Sequence, residues 1–133
     1  MQDHLIYIAW KPEYNLGIPI IDEQHRGIVS IINSLYYGMQ HTYMQGFLAP
    51  IVDMLHNYTR IHFQIEEHFL EQSDYPDLKN HIILHQELIA KLDEVGRKSL
   101  LEGDPYQLMV FLKNWWLHHI CEVDMQYKDH IIT

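Results

Sequence analysis

A single cysteine, Cys121, stands in 133 residues. That excludes an intrachain disulfide framework and a cysteine-based zinc site, and makes a reducing cytoplasm the expected location. Basic residues are scarce as well. Nine scattered Lys and Arg against eighteen Asp and Glu give a formal charge of −9. With no Lys/Arg-rich block, a nucleic-acid partner is not expected. No apolar run approaches the roughly 18 residues of a membrane span. No basic region followed by an apolar stretch opens the sequence, so a secretory signal is not expected either. Sustained strand-type alternation is missing too.

What is abundant is histidine. There are eleven, spread along the chain rather than gathered in a tag. The length fits one domain, residues 1–133, with room for a core that needs no staples.

Four long segments carry the apolar period of an α-helix. The first follows Gly17-Ile18-Pro19, with the stripe Ile21, His25, Ile28, Val29, Ile32, Leu35, Tyr36 and Met39. Pro19 and Asp22 suit a first turn, and the stretch from Gln40 to Gly46 is expected to end this helix. The second has Leu48, Ile51, Val52, Leu55, Tyr58, Thr59, His62, Phe63, Glu66, Phe69 and Leu70, and ends at the turn Ser73-Asp74-Tyr75-Pro76. The third has Leu78, His81, Ile82, His85, Leu88, Ile89, Leu92 and Val95, broken by Leu101-Glu102-Gly103-Asp104-Pro105. The fourth has Leu108, Phe111, Leu112, Trp115, Trp116, His119, Ile120, Val123 and Tyr127. Short breaks between long amphipathic helices predict an all-α, antiparallel up-down-up-down four-helix bundle. Residues 1–17, with Ile6, Ile8, Trp10, Tyr14 and Leu16, read as an N-terminal arm packed along it.

The stripes sort the histidines. His25, His62, His81, His85 and His119 fall on core-facing stripes, as does Glu66. His62 and Glu66, and His81 and His85, are i, i+4 pairs, so each pair shares one helix face. His56 and His68 lie about 120° from His62, towards solvent. His119 continues the row of Leu112, Trp115 and Trp116, whereas His118 shares a row with Asn114 and Glu122, so His119 is the better candidate. His4 falls in the arm, His41 in a break and His130 near the C-terminus. A lone stripe histidine is most simply a hydrogen-bonded core residue. Five of them with a carboxylate, on the inner faces of all four helices, are costly to bury unless a metal satisfies them. Glu67 and Glu71 read as ordinary solvated residues. Asp124 lies five residues after His119, about 140° round a regular helix. A widened turn of the π-bulge kind would align the two; from spacing alone, ligand and surface aspartate stand equal.

Taken together, Trp10 with Tyr14-Asn15-Leu16-Gly17-Ile18, Ile21-Asp22-Glu23-Gln24-His25, Tyr58, His62-Phe63-Gln64-Ile65-Glu66-Glu67, Tyr75-Pro76, His81 and His85, Trp116-Leu117-His118-His119-Ile120, and Asp124 with Tyr127 form an ordered set. The set resembles the hemerythrin family, and more closely its single-domain bacteriohemerythrins. The resemblance covers almost the whole chain and fills all seven ligand positions in order. It implies a centre of two non-haem iron ions with an oxo or hydroxo bridge. His81, His85 and His119 would hold one iron, His25 and His62 the other, and Glu66 and Asp124 would bridge them. It implies reversible binding of O2, held as hydroperoxide on the five-coordinate iron, with the bridge proton passing to it and back.

Imidazole with carboxylate and an open position suits non-haem iron, although zinc or manganese would accept the same donors. Ferritin-like di-iron sites use four Glu and two Glu-x-x-His motifs. The poorer supply of anionic donors here should favour binding O2 over activating it. Ile28, Val29, Phe63, Trp115 and Trp116 are candidate walls of a dry pocket, and Cys121 reads as a small structural residue. No general acid, base or nucleophile stands out beyond the ligands, so no catalytic residue and no enzyme activity is expected. The expected role is oxygen storage or delivery by a monomer, with an oxygen-consuming protein as recipient. The alternatives are an O2 or redox sensor, or a di-iron peroxidase or NO-handling protein.

Overall fold

The structure, a computed structural model, describes residues 7–40 and 44–128. Four helices run in chain order: α1 (Pro19–Met39), α2 (Met44–Gln72), α3 (Leu78–Glu102) and α4 (Tyr106–Trp115). The chain then continues in π-helical turns over Trp116–Val123 and a 3-10 turn over Asp124–Tyr127. Successive helices pack against one another and α1 closes against α4, which makes an antiparallel four-helix bundle. The described residues contain no strand.

Pro19 takes the first helical position of α1, where its missing N–H costs nothing. Asp22, in that first turn, works backwards. Its carboxylate accepts the Leu16 N–H at 2.7 Å and the Gly17 N–H at 3.0 Å, which locks the arm to the start of the helix. Asn33 does the same further along. Its amide oxygen accepts the N–H groups of Tyr7 and Ile8, and its NH2 donates to the Ile8 carbonyl. Leu16, Ile18, Ile21, Leu70 and Tyr127 form a small apolar cluster at this end, and Ile28 to Trp115 fill the long core. Burying a Leu or Ile side chain is worth roughly 1.5–3 kcal/mol.

Two boundaries differ from the sequence expectation. Gly46, expected in the break, lies inside α2, because a glycine at an exposed position is tolerated in a helix that packing holds. Leu101 and Glu102 likewise still belong to α3, which ends only where Gly103 adopts a left-handed conformation with φ 63°. The arm positions Ile6 and His4, and also His41 and His130, lie outside the described residues.

The Tyr58 side chain of α2 lies over Gly27 of α1. A Cβ there would stand 2.0 Å from the Tyr58 hydroxyl oxygen. Gly27→Ala should therefore push the tip of the half-buried Tyr58 side chain aside at a net cost of about 1 kcal/mol or less, because the helix propensity of Ala offsets part of the crowding, read from the urea midpoint. The loss should shrink in a Tyr58→Ala background; an equal loss in both backgrounds would show that the Tyr58 contact is not its cause.

Candidate metal centre

The i, i+4 spacing puts His62 and Glu66 on one face of α2, and His81 and His85 on one face of α3. His25 comes from the second turn of α1. His119 and Asp124 come from the end of the fourth helix, where the anticipated widened turn is present. Asp124 N–H bonds the His119 carbonyl, the i to i+5 bond of a π-helix, and this brings both side chains to the same side. All seven are buried, none more than 5% exposed.

Two groups of donors result. In one, single ligand atoms of Glu66, His81, His85, His119 and Asp124 all lie within 4.8 Å of one another; in the other, those of His25, His62, Glu66 and Asp124 do. The carboxylates belong to both, and their oxygens divide accordingly. Glu66 Oε1 faces His81 Nε2 at 2.8 Å and His85 Nε2 at 2.9 Å, while its Oε2 faces His62 Nε2 at 3.5 Å. Asp124 Oδ1 faces His119 at 3.2 Å and His81 at 3.4 Å, and its Oδ2 faces His25 at 3.5 Å.

Of these contacts, His81 with Glu66 Oε1 has hydrogen-bond geometry, and several of the others do not. His85 Nε2, both ring nitrogens of His119 and both oxygens of Asp124 are buried with no aligned partner. Buried polar atoms are rarely left so. The His85 and His119 nitrogens that face carboxylates without donating to them are arranged for a cation between them. Imidazole nitrogen and carboxylate oxygen are also suitable donors for a divalent or trivalent transition metal. The residues fit a two-metal site.

Three further side chains hold the donors from behind, and their roles do not follow from the sequence pattern. Tyr127 donates its O–H to Glu66 Oε2 at 2.7 Å. Gln24 Oε1 lies 2.8 Å from His62 Nδ1. Glu67 Oε2 lies 2.7 Å from His85 Nδ1. By helical period Glu67 is a solvated surface residue; it instead reaches across from α2 to a histidine of α3. Each acceptor fixes the tautomer that leaves Nε2 for the cluster. Phe63 stacks flat on His85, centroids 3.7 Å apart, and meets Trp115 edge-on at 6.0 Å. Ile28 and Val29 are buried in the core, whereas the Trp116 side chain lies outside those described. Of the histidines not chosen, His118 and His68 are exposed, and His56 pairs with Asp93 at 2.5 Å away from the site.

Burial lowers the His62 imidazole to about 3, although Glu66 pulls the other way. Burial opposes charge on His81 too, but the Asp124 and Glu66 carboxylates outweigh it and lift the imidazole to about 10. Burial and the Asp124 charge would raise Glu66; the imidazoles of His81, His85 and His62 overcome them and hold it at about 2. Burial would raise Asp124 as well, and His119, His25 and His81 around it hold it well below the usual carboxylate range. Burial and the adjacent Glu66 carboxylate push the Tyr127 phenol well up, so it stays a donor.

The model of the hemerythrin HHE cation binding domain matches residues 16–131. Among curated relatives, a bacteriohemerythrin of Clostridium acetobutylicum is 31% identical, the match covering 91% of this chain and 98% of that protein. One of Stenotrophomonas maltophilia is 30% identical over 93% of this chain and 81% of its own length. A hemerythrin chain of Sipunculus nudus is 27% identical over 91% of each. Crystal structures of two hemerythrin point mutants share the fold, with TM-scores of 0.83 and 0.82 at 22% identity, covering 96% of this chain and 99% and 98% of theirs.

The metal-free protein should be most stable near neutral pH. Between about 3 and 6.5, His62 binds fewer protons folded than unfolded, so stability falls as pH drops through that window. Between 6.5 and about 10, His81 binds more protons folded than unfolded, so stability falls as pH rises through it. Denaturant midpoints of metal-free protein check this; a steady rise from about pH 5 to about pH 9 would contradict the charge balance of the cluster.

Proposed function

The chain belongs to the hemerythrin family, and from that premise we propose that it binds O2 reversibly at a non-haem di-iron centre, for oxygen storage or delivery. His81, His85 and His119 would hold one iron, His25 and His62 the other, with Glu66 and Asp124 shared. The observation that carries this reading is the division of the two carboxylates. Each turns one oxygen to the three-histidine group and one to the two-histidine group. A single-metal site needs no such sharing. When bound, a pair of ferrous ions supplies the two electrons that O2 takes up and gives back.

The rest is done by the chain. Three imidazoles and two carboxylate oxygens form one group, two imidazoles and two carboxylate oxygens the other. By donor count, a small ligand would bind at the group with fewer donors. Tyr127 holds Glu66 in its shared orientation, and Gln24 and Glu67 keep the Nε2 atoms of His62 and His85 turned inwards. Phe63 and Trp115 shield the rings from water. The names of the relatives, hemerythrin and bacteriohemerythrin, point the same way.

The test is an anaerobic optical spectrum of the ferrous protein, followed by O2 and then by its removal. A visible absorption band that appears with O2 and vanishes on deoxygenation is expected. Irreversible conversion to a ferric spectrum would overturn the carrier reading in favour of redox sensing, or of catalysis if added peroxide or NO were turned over.

A further inference from the structure

The two anchored histidines are held from behind by different chemistry. His62 Nδ1 donates to a neutral amide oxygen, that of Gln24, at 2.8 Å. His85 Nδ1 donates to a carboxylate oxygen, that of Glu67, at 2.7 Å. The two bonds are alike in length and both leave Nε2 facing the cluster, so as orienting devices they are equivalent. They differ in charge.

That difference reaches the donor atom. An N–H that bonds to a carboxylate is drawn further from the ring than one that bonds to an amide, because the charge-assisted bond is about twice as strong. The ring is left richer in electrons, and its other nitrogen is the better donor to a metal. The Glu67 charge is not washed out by solvent, since its side chain is only 25% exposed and the His85 side chain 2%. Nor can the ring turn away from the bond easily: Phe63 lies flat on it, 2° from parallel. His85 belongs to the three-histidine group and His62 to the two-histidine group, so the charge difference falls between the two metals rather than within one.

We infer, on the di-metal reading above, that Glu67 and Gln24 are positioning residues that make the two metals unequal. The Glu67 carboxylate strengthens the hold of the three-histidine group and favours the higher oxidation state there. The Gln24 amide leaves the two-histidine group the weaker holder and the stronger electron acceptor. The inequality set by ligand number is thereby reinforced by charge placed one bond further out.

Cobalt(II), whose spectrum reports its ligands, is the first probe. It is titrated into metal-free wild-type protein, Glu67→Gln and Gln24→Glu. Glu67→Gln keeps an acceptor and removes the charge; Gln24→Glu adds one behind His62. Wild type should take two ions of unequal affinity. Glu67→Gln should weaken one of them by about 10–100-fold with the other unchanged. Gln24→Glu should tighten the weaker ion and narrow the gap. In the iron-loaded proteins, Glu67→Gln should raise one of the two reduction potentials and Gln24→Glu should lower the other. If both variants bind cobalt and titrate as wild type does, charge behind the histidines does nothing and the inference is overturned while the di-metal reading stands. If wild type takes fewer than two ions, the di-metal reading itself fails.

Discussion

Two carboxylates, Glu66 and Asp124, lie fully buried in the middle of a helical bundle, and much else in the molecule answers to them. A buried charge is expensive unless it is paired. Here the pairing is shared among five imidazoles drawn from the four helical segments, so the pairs are also the tie between those segments. His81 and His85 from one helix meet Glu66 of another; His25 and His119 meet Asp124. His81 hydrogen-bonds Glu66, but the geometry at His85, His119 and Asp124 is poor for hydrogen bonds and good for a cation set between them. The polar centre has the donor groups to hold metal ions.

The backbone serves that centre in particular ways. Regular α-helix suffices where two donors are four residues apart, as on α2 and α3. It fails where they are five apart, and there the chain widens into π turns over Trp116–Val123. Asp22 and Asn33 tie the arm down along α1, the helix that carries His25. Tyr127, from the 3-10 turn that follows Asp124, reaches Glu66. The last segment of the chain thus contributes one shared carboxylate and a hydrogen bond to the other.

Much of this was legible in the residues. The helical periods placed His25, His62, Glu66, His81, His85 and His119 on inner faces, while the five-residue gap left Asp124 open between ligand and surface residue, with a widened turn as the condition for the former. Those features are properties of single helices, which a linear pattern records. What was not legible crosses between helices. Glu67 sits beside a cluster member in sequence and looks like surface by period; only the rotation of α2 against α3 brings its carboxylate to His85 Nδ1. Gln24 and Tyr127 likewise act on residues of another helix. Helix ends were also off at Gly46 and Leu101, because packing decides how far a helix runs past a weak residue.

The arrangement accounts for a site that is asymmetric at two depths, in the number of histidines and in what stands behind them, while its carboxylates remain common to both halves. That sharing is the central claim, and anomalous diffraction from crystals of the iron-loaded protein tests it most directly. Two iron peaks per chain are expected, one among His81, His85 and His119 and one between His25 and His62, each with an oxygen of Glu66 and of Asp124 bound to it. A single peak, or two peaks with both carboxylates confined to one of them, would contradict it.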